Sequence, residues 1–167
     1  MAQYIAYTIQ REMKIDVYTD GSTKNNGRSN AVGGWGFVGI INGMDNYVCG
    51  SGAEADTTNQ RMELQAAING LEAVLYLPFE EIEVFSDSAY LINCYKQKWY
   101  VNWQKNGWVN SKKQPVANQD LWEKLIPHFN NPRISWSKVA GHAGNHWNEF
   151  VDGLAQGAAA EYIKEYK

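Results

Sequence analysis

Cysteine is scarce: Cys49 and Cys94 are the only two in 167 residues, without CxxC spacing and without metal-type neighbours. That argues against a disulfide-stapled or zinc-bound scaffold and reads as two reduced thiols in a cytoplasmic protein. No apolar run approaches the length of a membrane span. The first thirteen residues, MAQYIAYTIQREM, lack both the basic start and the apolar core of a secretory signal. Internal repeats and low-complexity tracts are missing too, so nothing divides the chain. Residues 1–13 read as an N-terminal extension and 14–167 as one domain, long enough to bury a full core.

Acidic residues also run out locally. None stands between Asp87 and Asp120, while Lys96, Lys98, Lys105, Lys112 and Lys113 all fall in that interval. The interval therefore carries +5 and the remainder −8, on a chain of net charge −3. A basic patch on an acidic body is the electrostatic footprint of a nucleic-acid partner.

What is present alternates between strand and helix signals. Residues 14–19 (KIDVYT) alternate and read as a strand ending at Asp20, and the Gly/Asn/Ser-rich residues 21–34 read as a loop. Residues 35–41 and 47–50 read as two strands joined by a turn at Asn42-Gly43, an antiparallel meander. Residues 59–77 give the clearest helix, with Leu64, Ala67, Ile68, Leu71 and Leu75 on one face. Thr57 and Gln60 fit a capping box at its start, and Pro78 stops it. Residues 81–86 form a strand ending at Asp87, with a shorter helix from about Ser88. Residues 133–139 alternate as another strand. Residues 147–166 form a closing helix with Val151, Leu154, Ala155, Ala158 and Tyr162 inward. The order β-β-β-α-β-α-α-β-α predicts an α/β fold. Its mixed five-stranded sheet combines a three-strand antiparallel meander with parallel strands and is flanked by helices.

Chemistry in such sheets collects at the carboxyl ends of parallel strands. Asp20 and Asp87 each end a strand of the expected parallel pair, while Glu63 and Asp152 lie in the first turns of the long and the last helix. Singly, each has a plain reading as a turn former, helix cap or dipole partner. Together, four like charges in one cleft repel and raise one another's pKa, a penalty that a divalent cation removes. Hard oxygen ligands suit Mg²⁺, with Mn²⁺ as substitute. Two such ions about 3.5–4 Å apart activate a water and stabilise the leaving oxygen of a phosphodiester.

Four segments then carry a resemblance: YTDGS at 18–22, TTNQRMELQAA at 57–67, FSDSAYL at 85–91 and VAGHAGNHWNEFVDGLA at 139–155. In this order they resemble the signature segments of type 1 ribonuclease H (ribonuclease HI), over nearly all of residues 14–160. The resemblance implies the ribonuclease H-like fold, with 14–167 as a single catalytic domain. It also implies a metal site of Asp20, Glu63, Asp87 and Asp152, in which Asp20 bridges two ions. Asp152 would complete the first ion's site, and Glu63 and Asp87 the second's. The activity implied is endonucleolytic hydrolysis of the RNA strand of RNA–DNA hybrids, leaving 5′-phosphate and 3′-hydroxyl ends. His142, in the loop AGHAGN, has the plain reading of a solvated residue; the resemblance gives it a role in proton transfer or product departure. His146 and His128 read as structural.

Residues 96–118 interleave five lysines with Trp99, Trp103 and Trp108. Trp99 and Trp103, at i and i+4, fit either the core face of a helix or an aromatic, basic surface gripping a nucleic-acid backbone. The WxxxWxxxGW pattern resembles the family's basic protrusion, which packs on the DNA strand, with Lys105, Lys112 and Lys113 as its charges. By the same resemblance Asn26, Asn59 and Gln60 contact RNA 2′-hydroxyls, which amides suit because they both donate and accept. Thr58 and Asn118 likewise match a pocket that seats a DNA phosphate, and Asp56 stands where some relatives place an arginine. The expected partner is an RNA–DNA hybrid, with no membrane, no protein partner implied, and a monomeric chain. Two other functions stay open: a transposase- or resolvase-type DNA nuclease on the same fold, and a non-catalytic hybrid-binding module.

Overall fold

Ile15, Val17 and Thr19 are buried, while Lys14, Asp16 and Tyr18 between them are only half-buried. This period of two belongs to a strand packed harder on one face than the other. In the computed structural model, which describes residues 14–41, 46–140 and 145–166, that strand is β1 (Lys14–Lys24). It is followed by β2 (Val32–Ile41), β3 (Tyr47–Ala55), α1 (Asn59–Val74) and β4 (Glu81–Ser86). Three helices come next, α2 (Ala89–Gln97), α3 (Trp99–Asn106) and α4 (Gln119–Phe129), then β5 (Ile134–Lys138) and α5 (His146–Tyr166). The strand order is β3-β2-β1-β4-β5. β1–β2 and β2–β3 pair antiparallel, and β1–β4 and β4–β5 pair parallel, as the meander and the crossover imply.

Leu64, Ala67, Ile68 and Leu71 of α1 pack on Ile15, Val17, Ile82 and Val84, and α2 and α4 extend this core with Leu91, Leu121, Trp122 and Leu125. Each fully buried aliphatic side chain contributes roughly 1.5–3 kcal/mol. Trp122 can be buried completely because its indole N–H donates to Tyr90 Oη at 3.1 Å. α5 packs over β1, β2 and β3.

Several boundaries depart from the sequence reading. Half of residues 21–34 is strand, because β1 runs on to Lys24 and β2 starts at Val32, the two pairing from Asp20↔Gly36 to Lys24↔Val32. The glycines that look like loop residues there are places of close packing: a Cβ at Gly34 would stand 1.9 Å from the Ala155 carbonyl oxygen on α5. α1 is capped by Thr58, not Thr57, since Thr58 is the residue with extended backbone whose hydroxyl accepts from Arg61 N. With Arg61 in the third position, the acidic or amide half of a capping box is missing. α1 closes at Val74, three residues before the expected end. Lys98, in the left-handed region at φ 55°, splits off an additional helix by ending α2 and opening α3. On α5 the deepest positions are Val151, Ala155 and Ala159, with Leu154, Ala158 and Tyr162 half-buried beside them. The expected Asn42-Gly43 turn lies outside the described residues.

Candidate active site

The parallel pairing of β1 with β4 runs from Lys14↔Glu81 to Thr19↔Ser86, and an aspartate follows on each strand where it stops. Asp20 keeps Gly36 of β2 as its neighbour, and Asp87 leads from β4 into α2. Gly21 lets the third acid approach: a Cβ there would stand 2.4 Å from the backbone nitrogen of Glu63, so α1 can lie against the strand only at a glycine. Gly36 does the same for the fourth. A Cβ at that position would come within 2.7 Å of Leu154 Cβ and 3.0 Å of the Val151 carbonyl oxygen, on the turn that carries Asp152. Asp20, Glu63, Asp87 and Asp152 consequently line one open cleft of about 290 Å³, together with Ser22, Thr23, Asn59 and Gln156.

Asp20 is 7% exposed, and its Oδ1 accepts from Gly21 N at 2.9 Å. Burial first, then the charge of Asp87 and a hydrogen bond with Asp152, raise its pKa from 3.8 to about 8. Burial likewise lifts Glu63 from 4.5 to about 7, opposed by a hydrogen bond from Ser88 and assisted by the charge of Asp87. Ser88 also caps α2, accepting from Leu91 N at 3.1 Å. Gln156, one helical turn beyond Asp152, donates to its Oδ2 at 2.9 Å. Among the described residues no three His, Cys, Asp or Glu side chains are gathered into a finished metal site. The donor chemistry nevertheless fits a hard divalent cation. All four groups are carboxylates, and burial and mutual repulsion hold two of them protonated toward neutrality.

The start of α1 borders this cleft. Asn26, in the β1–β2 turn, accepts from Asn59 N at 3.1 Å and so satisfies one of the free N–H groups of the helix. Gln60 is exposed on the same turn. Thr58 and Asn118 are linked through Arg61, whose backbone N–H donates to Thr58 Oγ1 at 3.2 Å and whose Nη1 donates to Asn118 Oδ1 at 3.3 Å. Asn118 in turn donates to Tyr90 Oη at 3.1 Å.

Trp99, Trp103 and Lys105 line a second hollow of about 620 Å³ with Asn102, Asn106 and Asn110. Both readings of the tryptophans hold here. Trp103 lies 6.2 Å from Trp99, 5.7 Å from Trp108 and 5.8 Å from buried Trp122, so these rings pack on the core while still facing the groove. Lys112 and Lys113 are exposed on the loop after α3 and do not line this hollow. His142 lies outside the described residues, and His146 is exposed against the Trp147 ring at 4.8 Å.

Sequence reasoning passed over Gln156, Ser88 and the contact of Arg61 with Asp120. Gln156 had a local signal, its i+4 spacing from Asp152. Ser88 had another, a serine ahead of a helix. Arg61 and Asp120 lie 59 residues apart, and no local pattern joins them.

A profile of the RNase H family matches residues 12–160. The Ribonuclease H of Syntrophomonas wolfei subsp. wolfei is 50% identical over 145 residues, covering 87% of this chain and 95% of that protein. Among solved structures, LC9-RNase H1, a type 1 RNase H with the type 2 active-site motif, is similar at a TM-score of 0.71 and 28% identity, covering 89% of this chain and 72% of that one. LC11-RNase H1 in complex with an RNA/DNA hybrid shares the fold at a TM-score of 0.65 and 22% identity, over 89% of this chain and 99% of that one. With a family match across most of its length and a relative half identical to it, the chain belongs to the ribonuclease H family.

Proposed function

We propose that the chain is a metal-dependent endoribonuclease that hydrolyses the RNA strand of RNA–DNA hybrids. The observation that carries this reading is the convergence of Asp20, Glu63, Asp87 and Asp152, from four separate elements, on one open cleft. A half-identical relative is named Ribonuclease H, and a protein of the same fold has been solved with an RNA/DNA hybrid. The four carboxylates would hold two Mg²⁺ ions, or Mn²⁺ in their place. When bound, such ions supply Lewis-acid activation of a water and stabilisation of the leaving oxygen, giving 5′-phosphate and 3′-hydroxyl products.

The remaining work belongs to the chain itself. Asp20 feels both Asp87 and Asp152, so it would act with each of them in holding the ions. Gly21 N–H fixes one of its oxygens, Ser88 holds Glu63, and Gln156 holds Asp152, so three of the four acids are oriented by neighbours. Asn26, Asn59 and Gln60 present amides beside the cleft for RNA 2′-hydroxyls. Thr58 and Asn118 seat a phosphate of the DNA strand. Trp99, Trp103 and Lys105 take its backbone in the groove, and Lys112 and Lys113 attract it from the loop. His142, which precedes α5 in the sequence, assists proton movement or product departure.

The test is one gel with labelled, sequence-matched hybrid, duplex DNA and duplex RNA, each in Mg²⁺, Mn²⁺ or EDTA. The expected result is metal-dependent cutting of the RNA strand of the hybrid alone. Cleavage of duplex DNA would replace this reading with a DNA nuclease, and binding without turnover would replace it with a binding module.

A further inference from the structure

Asn118 opens α4 in the left-handed region, at φ 62°, and makes no side-chain hydrogen bond to the helix it caps. An asparagine at this position ordinarily spends its side-chain oxygen on the N–H groups of its own helix. Here that oxygen accepts from Arg61 Nη1, and the amide nitrogen donates to Tyr90 Oη. The oxygen is therefore committed to Arg61 and an amide N–H to Tyr90, at the cost of a cap.

Arg61 is also gripped by Asp120 in a two-pronged contact, Nη1 to Oδ1 at 3.0 Å and Nη2 to Oδ2 at 2.8 Å. A guanidinium fork fits a carboxylate and a phosphate equally well. The Asp120 side chain is 61% exposed and that of Arg61 29%, so the carboxylate stands open to water and a phosphate arriving from solution can compete with it for the fork. Thr58, on whose hydroxyl the Arg61 backbone N–H rests, brings an O–H donor to the same spot. Among the described residues the molecule thus places a fork cation, a hydroxyl and an amide side by side, with an exposed carboxylate across the fork.

We infer that Arg61 is a further phosphate-binding residue for the nucleic-acid backbone, and that Asp120 is a resident carboxylate which the incoming phosphate must displace. This rests on the proposed function, because it presumes a nucleic-acid duplex at this surface. It has a consequence that an ordinary phosphate contact lacks. A free lysine that meets a phosphate releases condensed counterions, and the affinity falls with salt accordingly. Arg61 leaves behind a bare Asp120, which takes a cation back from solution, so the exchange has almost no salt dependence. Removing the carboxylate should expose one.

The experiment measures binding of a fluorescent, matched RNA–DNA hybrid by anisotropy in EDTA, from about 50 to about 200 mM salt. Thermal melts run alongside to confirm that each variant folds. Asp120→Asn should tighten binding about two- to fivefold at the lower salt and steepen log affinity against log salt by just under one. Arg61→Gln should weaken binding while leaving the wild-type slope in place, and the double variant should lose the steepening. Asp120→Ser gives the same readout if Asp120→Asn melts early. An Asp120→Asn slope and affinity equal to wild type, or weaker binding, would overturn the role of Arg61 while leaving the proposed function standing. A wild-type protein that does not bind the hybrid at any salt would overturn both.

Discussion

Asp20 holds its proton up to about pH 8, whereas in the unfolded chain the same carboxyl loses it near 3.8. Between those values the native state binds a proton that the unfolded state does not. Stability from this group is therefore complete below pH 3.8 and lost as pH rises through about 8. Glu63 acts in the same direction between 4.5 and about 7. The metal-free protein should accordingly melt at falling temperatures as pH rises from about 4 to about 8. One pKa unit is worth ~1.4 kcal/mol, and 1 kcal/mol moves the Tm of a chain this size by about 2–4 °C. Asp20→Asn should thus melt several degrees above wild type at pH 8 without metal. Mg²⁺ should raise the wild type at that pH far more than the variant. Calorimetry showing a wild-type Tm flat across this range would remove the repulsive-cleft account. The same substitution should abolish cleavage; a loss below tenfold, only ~1.4 kcal/mol of barrier, would contradict the two-ion assignment. His142→Ala should lower kcat roughly 10²–10⁴-fold and His146→Ala should not, and equal losses would count against the role given to His142. The four acids were legible in the sequence because each sits at an element end that periodicity locates. Their holders, Gly21 and Ser88, were present as letters whose packing partners could not be read.

At the level of elements, β4, the core face of α1 and most of α5 follow from hydrophobic period, and the sheet order follows from strand sequence and crossover. The extension of β1 and the early start of β2 do not, because glycine carries no strand signal and here serves an interelement contact. Gly34 and Gly36 look like loop residues until α5 is laid over them. Lys98 was equally silent, since nothing in its surroundings announces a left-handed residue between two helices. These contacts give a prediction with an internal control. Gly34→Ala drives a Cβ into the Ala155 carbonyl, 1.9 Å away, so α5 must shift from the sheet and carry Asp152 with it. Overpacking of this kind costs about 1–3 kcal/mol. Cleavage should fall by more than the loss of folded protein explains. Gly157→Ala, on the same helix with no atom within 4 Å of the new Cβ, should instead stabilise by about 0.5–1 kcal/mol and keep activity. Thermal melts paired with initial rates decide the matter: similar effects from both substitutions would mean that α5 is not seated through Gly34.

Across the whole molecule, charge is segregated: +5 lies between Asp87 and Asp120, on a chain of net charge −3. That much was readable from the letters, but the placement of the charges was not. Lys105 faces the tryptophan groove, while Lys112 and Lys113 stand on the loop beyond it. The acidic remainder includes the cleft, so an approaching duplex is repelled there and drawn toward α3 and its loop. The lysines should consequently act on capture and not on bond breaking. Each phosphate contact removed flattens log affinity against log salt by just under one unit on duplex. Converting Lys105, Lys112 and Lys113 together to Gln should raise KM strongly, most of all at high salt, with the loss falling on KM and not on kcat. Lys105→Gln alone should remove one unit of slope, because it is the lysine inside the groove. Adding Trp103→Ala to the triple variant should raise KM further without altering the slope, since an aromatic contact releases no counterions. Steady-state kinetics over a salt series provide the measurement. A slope unchanged in the triple variant would show these lysines to be a solvated face, and would leave capture of the duplex to the tryptophan groove and the polar rim of α1.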